Sequence, residues 1–167
     1  SYSVSAGSGS ATVNSNGLLT AIAGGTVVLT VNSAGNANYY PGVGMQTVTI
    51  GRVTPTLTVS SSNIMVVGEE LTVSVLSTAA SGLGGAYSFS ISGGSGSATV
   101  NPSTGVITAI SAGMITLTVN SAGDTSYYPT STTQLITING GAQTLTVTSA
   151  NTITVDGLLN VSVNTTA

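Results

Sequence analysis

Residues 94–129 read GSGSATVNPSTGVITAISAGMITLTVNSAGDTSYYP, and residues 7–41 read GSGSATVNSNGLLTAIAGGTVVLTVNSAGNANYYP. The second stretch is an edited copy of the first, so the chain carries an internal duplication. The match runs on beyond both. Gln46, Ile50 and Thr56-Leu57-Thr58-Val59 return as Gln134, Ile138 and Thr144-Leu145-Thr146-Val147, and Leu71, Val73 and Val75 return as Leu159, Val161 and Val163. The offset is steady at about 88 residues, with slips confined to turns.

Working outward from the 94–129 stretch, apolar residues alternate as in half-buried strands. Leu57 and Val59 begin the pattern, and a short run over 64–67 follows. Leu71, Val73 and Val75 alternate next, and a Gly-rich loop over 77–86 leads to Tyr87, Phe89 and Ile91. Val100 and the run over 106–110 flank Asn101-Pro102-Ser103-Thr104-Gly105, a strong turn signal. Ile115, Leu117 and Val119 form the next strand, and 134–138 closes the unit. About seven or eight short strands with turns at such spacing predict an antiparallel β-sandwich. No segment carries helical spacing with caps.

This reading places one complete domain over 51–138. Residues 1–50 hold only the later strands of a second domain, and residues 139–167 hold only first strands. Ala167 aligns with Ala79 and Ser1 with Ala86, so the counterparts of 80–85 are expected to be lacking between them. A strand segment left alone would expose Leu145, Val147, Ile153, Val155, Leu159, Val161 and Val163. At about 1.5–3 kcal/mol per buried side chain, it forgoes on the order of 10 kcal/mol.

Pairing within one molecule is expected to be out of reach. A sandwich of this size is roughly 30–40 Å long at about 3.3 Å per strand residue. The linkers 51–55 and 139–143 span about 17 Å each at ~3.5 Å per residue. The partner is therefore expected to be the next copy, giving a head-to-tail open assembly. That assembly is either a chain of separate subunits completing one another's domains or a window of one long tandem array. The remaining alternative is an arbitrary cut with frayed ends.

Composition excludes much else. Charged residues make up 3% of the 167 and are Arg52, Glu69, Glu70, Asp124 and Asp156, for a net charge of −3. There is no His, Cys, Trp or Lys. The usual acid–base and nucleophilic sets cannot be assembled from these residues, and Glu69 and Glu70, being adjacent, point to opposite faces of a strand. No enzymatic activity and no cofactor are expected, nor a zinc or transition-metal site. A single cation cannot supply the phosphate neutralisation that nucleic-acid binding requires. No apolar run approaches the ~20 residues of a membrane helix. Lys–Asn cross-links are excluded as well, and without Cys the fold rests on its core and strand pairing. The chain opens at Ser1 with no leader visible, as expected of a processed or excised extracellular chain.

The elements Ala98-Thr99-Val100, Thr104-Gly105-Val106-Ile107-Thr108-Ala109, 113–119 and 122–129 resemble the bacterial immunoglobulin-like repeats of surface proteins, such as the invasin- and intimin-like repeats. The first copy resembles them at 11–13, 17–21, 25–31 and 34–41. The resemblance implies tandem antiparallel Ig-like β-sandwiches outside the cell, serving as stalk, spacer or adhesive module. The chain departs from that family in its scarcity of charge, which removes one defence against edge-to-edge association and suits a protein that assembles.

Other features have a structural reading beside a functional one. Tyr39-Tyr40-Pro41 and Tyr127-Tyr128-Pro129 are expected to plug one end of each sandwich, the alternative being to stack on sugars. Asp124 is replaced by Asn36 in the other copy, which argues against a calcium role. Glu69-Glu70 and Asp156-Gly157 read as matching turns. The Thr-x-Thr rows (47/49, 56/58, 116/118, 144/146) read as the solvent face of a sheet, ahead of ice or glycan binding. Asn160-Val161-Ser162 and Asn164-Thr165-Thr166 are acceptor sequons, making Asn160 and Asn164 candidate glycosylation positions. The expected partner is a further copy of the chain, with glycans second.

Overall fold

The computed structural model describes residues 1–80 and 84–166; residues 81–83 of the expected 77–86 loop, and Ala167, lie outside the described residues. Every regular element among them is a strand, and no helix is long and apolar enough to cross a membrane. The first set comprises β1 (Tyr2–Ala6), β2 (Ser10–Val13), β3 (Leu19–Ala23), β4 (Gly25–Ser33) and β5 (Gly42–Ile50). The central set begins with β6 (Leu57–Val59), β7 (Ile64–Val66), β8 (Glu70–Thr72) and β9 (Val75–Ser77). It continues with β10 (Tyr87–Ser92), β11 (Ser97–Val100), β12 (Val106–Ser111), β13 (Gly113–Ser121) and β14 (Thr130–Asn139). A last hairpin pairs β15 (Thr144–Val147) with β16 (Val163–Thr166).

The central set makes three sheets, ordered β10-β13-β14-β7, β11-β12-β8 and β6-β9, with β7 parallel to β14 and every other pair antiparallel. Strand alternation puts Ile115, Leu117 and Val119 on one face of β13, all nearly inaccessible. They pack with Phe89, Ile136, Ile138 and Met65 of the same sheet and with Ile107 and Ala109 of β12, forming the buried core. The expected turn holds by an Asx geometry. Asn101 Oδ1 accepts from Ser103 N (3.0 Å) and Thr104 N (3.1 Å), and Gly105 N donates to the Asn101 carbonyl (2.9 Å). Gly105 lies at φ 71 with the Phe89 ring 3.0 Å from where a Cβ would stand, so left-handed backbone and ring packing both call for glycine.

The first set repeats this pairing, as β1-β4-β5 and β2-β3, down to the register shift between Ser10 and Ala11 that matches the one between Ser97 and Ala98. Two expectations are corrected. Tyr2 pairs with Val31, the counterpart of Val119, and Val119 pairs with Phe89. Tyr2 also packs its ring on Gly17 as Phe89 does on Gly105. Ser1 therefore corresponds to Ser88 and not Ala86, and the stretch without counterpart is 80–87. A slip of two residues keeps the same face inward, so alternation is blind to it. The single strand expected through Leu71, Val73 and Val75 is two: β8 pairs with β12, and β9 crosses to β6.

Candidate assembly surfaces

The last hairpin copies the first hairpin of the central set. Leu145 pairs with Thr165 and Val147 with Val163, as Leu57 pairs with Ser77 and Val59 with Val75. Thr148 N donates to the Ser162 carbonyl at 2.9 Å, as Ser60 N does to Ser74. Between the paired strands, Asp156 takes φ 62 where Gly68 takes φ 87, and Gly157 N donates to the Thr154 carbonyl (3.0 Å) as Glu69 N does to Val66. Asp tolerates this left-handed conformation better than most residues, which explains how the turn survives loss of the glycine.

Packing is where the two hairpins part. Leu57, Met65 and Val73 are buried, and Val59, Val67, Leu71 and Val75 pack against the same core. Their counterparts Leu145, Ile153, Val161, Val147, Val155, Leu159 and Val163 are exposed, from 38% at Leu159 to 92% at Val155. The seven positions singled out in the sequence thus lie together on one segment, and that segment is stripped of a partner among the described residues.

The first set shows the complementary deficit. Val27 is its one buried large hydrophobic residue, whereas the counterparts of Leu19, Leu29, Val31, Val48 and Ile50 in the central set, namely Ile107, Leu117, Val119, Ile136 and Ile138, are all buried. In the central set β7 covers the edge of β14, and β8 covers the edge of β12. The corresponding edges of β5 and β3 carry no strand among the described residues.

The joint between the first and central sets is built from the loop over 122–129. Val53 bridges to Tyr127, with Val53 N donating to Ser126 O (3.0 Å) and Tyr128 N to Val53 O (2.9 Å). Arg52, the chain's one basic side chain, donates to the Asp124 carbonyl and lies over the Tyr128 ring, 5.4 Å from its centre. Across the joint, Gly24 N donates to Ser126 Oγ at 3.0 Å, and a Cβ on Gly24 would fall on the Thr125 carbonyl. Gly24→Ala is expected to cost this joint about 1–3 kcal/mol by leaving the buried Ser126 hydroxyl unpaired. Small-angle scattering should show the two sets spreading apart while the central melting temperature holds; an unchanged distance distribution would refute it. The sequence counterpart of Gly24 is Ala112, so the same close approach is closed at that corner.

Asp124 organises the loop. Its carboxylate accepts from Gly84 N (2.6 Å), Ser126 N (2.7 Å) and Tyr127 N (2.9 Å). The backbone donors at Gly84, Ser126 and Tyr127, helped by the Arg52 charge, hold the carboxyl below its ordinary 3.8 against a smaller opposing effect of burial. A lowered folded value means the contribution is fully present above 3.8 and is lost as the pH falls through the lowered value. Asn36 Oδ1 caps the sister loop in the same way, accepting from Asn38 N (2.8 Å) and Tyr39 N (3.0 Å). Asp124→Asn is thus expected to keep the loop and remove this part of the acid sensitivity. NMR titration of the Ser126 and Tyr127 amides checks it, and a midpoint at or above 3.8 would refute it.

The two Tyr-Tyr-Pro loops differ. Tyr127 is half-buried, and its hydroxyl accepts from Ala80 N at 3.0 Å, closing the end of the central set. Tyr39 and Tyr40 are 74% and 96% exposed beside an open concavity of about 490 Å³ bounded by the 34–41 loop. The plug expected there is absent in the first set because, among the described residues, nothing occupies the place that Val53 and Ala80 take in the central one. Glu69 closes its turn by accepting from Val66 N (2.9 Å). The Thr rows lie off the core, and Asn160 and Asn164 are exposed. No cluster of three or more His, Cys, Asp or Glu comes together among the described residues.

Sequence reasoning missed the joint, because Gly24 and Ser126 are 102 residues apart and neither carries a motif. The lone Arg52 in an otherwise neutral linker was the one signal available. Comparison with known proteins adds no relative: no family model matches the chain, and no curated protein matches it.

Proposed function

We propose that the chain is a non-enzymatic structural unit of an extracellular filament or surface fibre, built of tandem Ig-like β-sandwiches of about 88 residues. Successive units join head to tail, the strands over 143–166 of one unit completing the sandwich begun by residues 1–50 of the next. The resemblance to bacterial immunoglobulin-like surface repeats belongs to this reading, as do the extracellular location, the absence of a cofactor and the lack of nucleic-acid or membrane-inserting roles. The observation that carries it is the last hairpin, folded in the register of β6 and β9 with its seven core-type residues in water.

A second reading, a stalk or glycan-binding segment of a large surface adhesin, draws on the exposed Tyr39 and Tyr40 beside an open concavity. Electron microscopy of native material, paired with its mass after boiling in denaturant, separates the two. Filaments that fall to a 16.2 kDa chain are the expected result. Filaments that remain one far larger polypeptide would mean a tandem array. A stable monomer without filaments overturns assembly and leaves the glycan-binding reading in front.

A further inference from the structure

The central set is an internal template for the joint between units. Comparing 56–78 with 144–166 position by position, all seven inward positions stay large and apolar, while eight of the thirteen exposed positions change. Leu57, Val59, Val67, Leu71, Val73 and Val75 recur unchanged as Leu145, Val147, Val155, Leu159, Val161 and Val163, and Met65 becomes Ile153, another residue of similar volume. On the other face Glu70 becomes Leu158 and Leu76 becomes Asn164, and both original side chains are exposed. A segment that met only water would have no reason to keep every inward position apolar while most of the exposed ones change.

One polar contact at the template edge has both of its residues kept too. Gln134 Nε2 donates to the Ser61 carbonyl (3.3 Å), and Gln46 and Ser149 stand at the counterpart positions. The hairpin, moreover, already holds its pairing and its Asp156 turn without a partner. Docking therefore needs little reordering.

From this template we infer that the occupant of the open β3 and β5 edges is the 143–166 segment of a second copy of this chain, in one specific register. Residues 152–154 lie parallel to β5 with Ile153 opposite Ile50, as Met65 lies opposite Ile138. Residues 158–160 lie antiparallel to β3 with Leu159 opposite Leu19 and Leu158 opposite Thr20, as Leu71 and Glu70 lie opposite Ile107 and Thr108. The linker 139–143 then runs along the 34–41 loop, in the place Val53 takes beside Tyr127. The inference rests on the head-to-tail reading and specifies its partner and contacts.

The chain has no cysteine, so introduced thiols are unambiguous. Opposed residues of an antiparallel pair sit within disulfide reach, about 4.5–5.5 Å between Cα atoms, while a partner two residues away is beyond it. Full-length Thr20→Cys chains are mixed with Leu158→Cys or with Asn160→Cys chains, oxidised, and run without reductant. The expected product is a heterodimer of twice the chain mass with Leu158→Cys, at least about tenfold above the yield with Asn160→Cys. Filaments with equal yields, or with none, overturn the register while leaving head-to-tail assembly standing. A Thr20→Cys/Leu158→Cys double variant that cross-links at monomer mass shows the chain filling its own edge, which overturns the second copy as occupant. Loss of filaments from the unsubstituted chain removes the assembly reading itself.

Discussion

Val161→Asp is expected to abolish end-to-end assembly and leave the chain otherwise folded, whereas Val73→Asp at the counterpart position is expected to unfold the central set. The substitution is chemically the same in both. Val73 is 8% exposed and packs in the central core, while Val161 is 68% exposed. At Val73 the change forfeits about 1.5–3 kcal/mol of burial and also places a carboxylate among apolar side chains. A combined cost on the order of 5 kcal/mol takes most of the stability available to a set of this size. At Val161 the unassembled chain already leaves the side chain in water, so the central melting temperature is expected to stay within about 2 °C.

The cost at Val161 falls on the joint between units. If the segment docks as the template implies, the carboxylate is buried there as it would be at Val73. At about 1.4 kcal/mol per tenfold, a loss on the order of 5 kcal/mol weakens each joint by roughly three to four orders of magnitude. Sedimentation velocity and electron microscopy report assembly, and scanning calorimetry reports the central set. Filaments of normal length from Val161→Asp would show that this face meets no core in the assembly, and the proposed joint would fall with it.

How far the sequence discloses this architecture depends on what each contact leaves in the chain. The duplication, the Asn101-to-Gly105 turn and the β13 core of Ile115, Leu117 and Val119 are all local patterns, and each stands where expected. The seven residues from Leu145 to Val163 were identifiable because the sequence supplies its own aligned reference, in which the same positions are core. Features set by geometry between distant segments were not legible. The division of β8 from β9 leaves the alternation through Leu71, Val73 and Val75 intact while the chain crosses between sheets. The two-residue register of β1 is likewise silent in alternation, but it is legible in the gapless match of residues 1–10 to 88–97, and the Tyr2 ring on Gly17 agrees with it. The Gly24–Ser126 joint depends on a missing Cβ, and a glycine among 22 glycines announces nothing.

Hydrogen exchange is expected to show the largest single difference between the monomer and the filament, at two named amides. In the central set Thr137 N donates to the Asn63 carbonyl just before β7 (2.9 Å), and Ala109 N donates to the Glu69 carbonyl just before β8 (3.0 Å). Thr49 and Ala21 are their counterparts on the open edges of β5 and β3, and both residues are exposed. In the unassembled Val161→Asp chain these amides should exchange fast, since the first set has only Val27 as a fully buried large side chain to resist local opening. In the filament they gain carbonyl partners from residues 151 and 157 of the preceding copy, under a core completed by seven added side chains. Burying those side chains is worth on the order of 10 kcal/mol before ordering costs. If about half survives the entropy of fixing the segment, protection should rise by roughly three to four orders of magnitude. Thr137 and Ala109 should change little, since their partners are present in both states. The contrast separates docking from general stiffening of a polymer, which would slow all four amides together. Filaments in which Thr49 and Ala21 still exchange at the monomer rate would show that the edges of β5 and β3 stay open, and that the units are held by some other face.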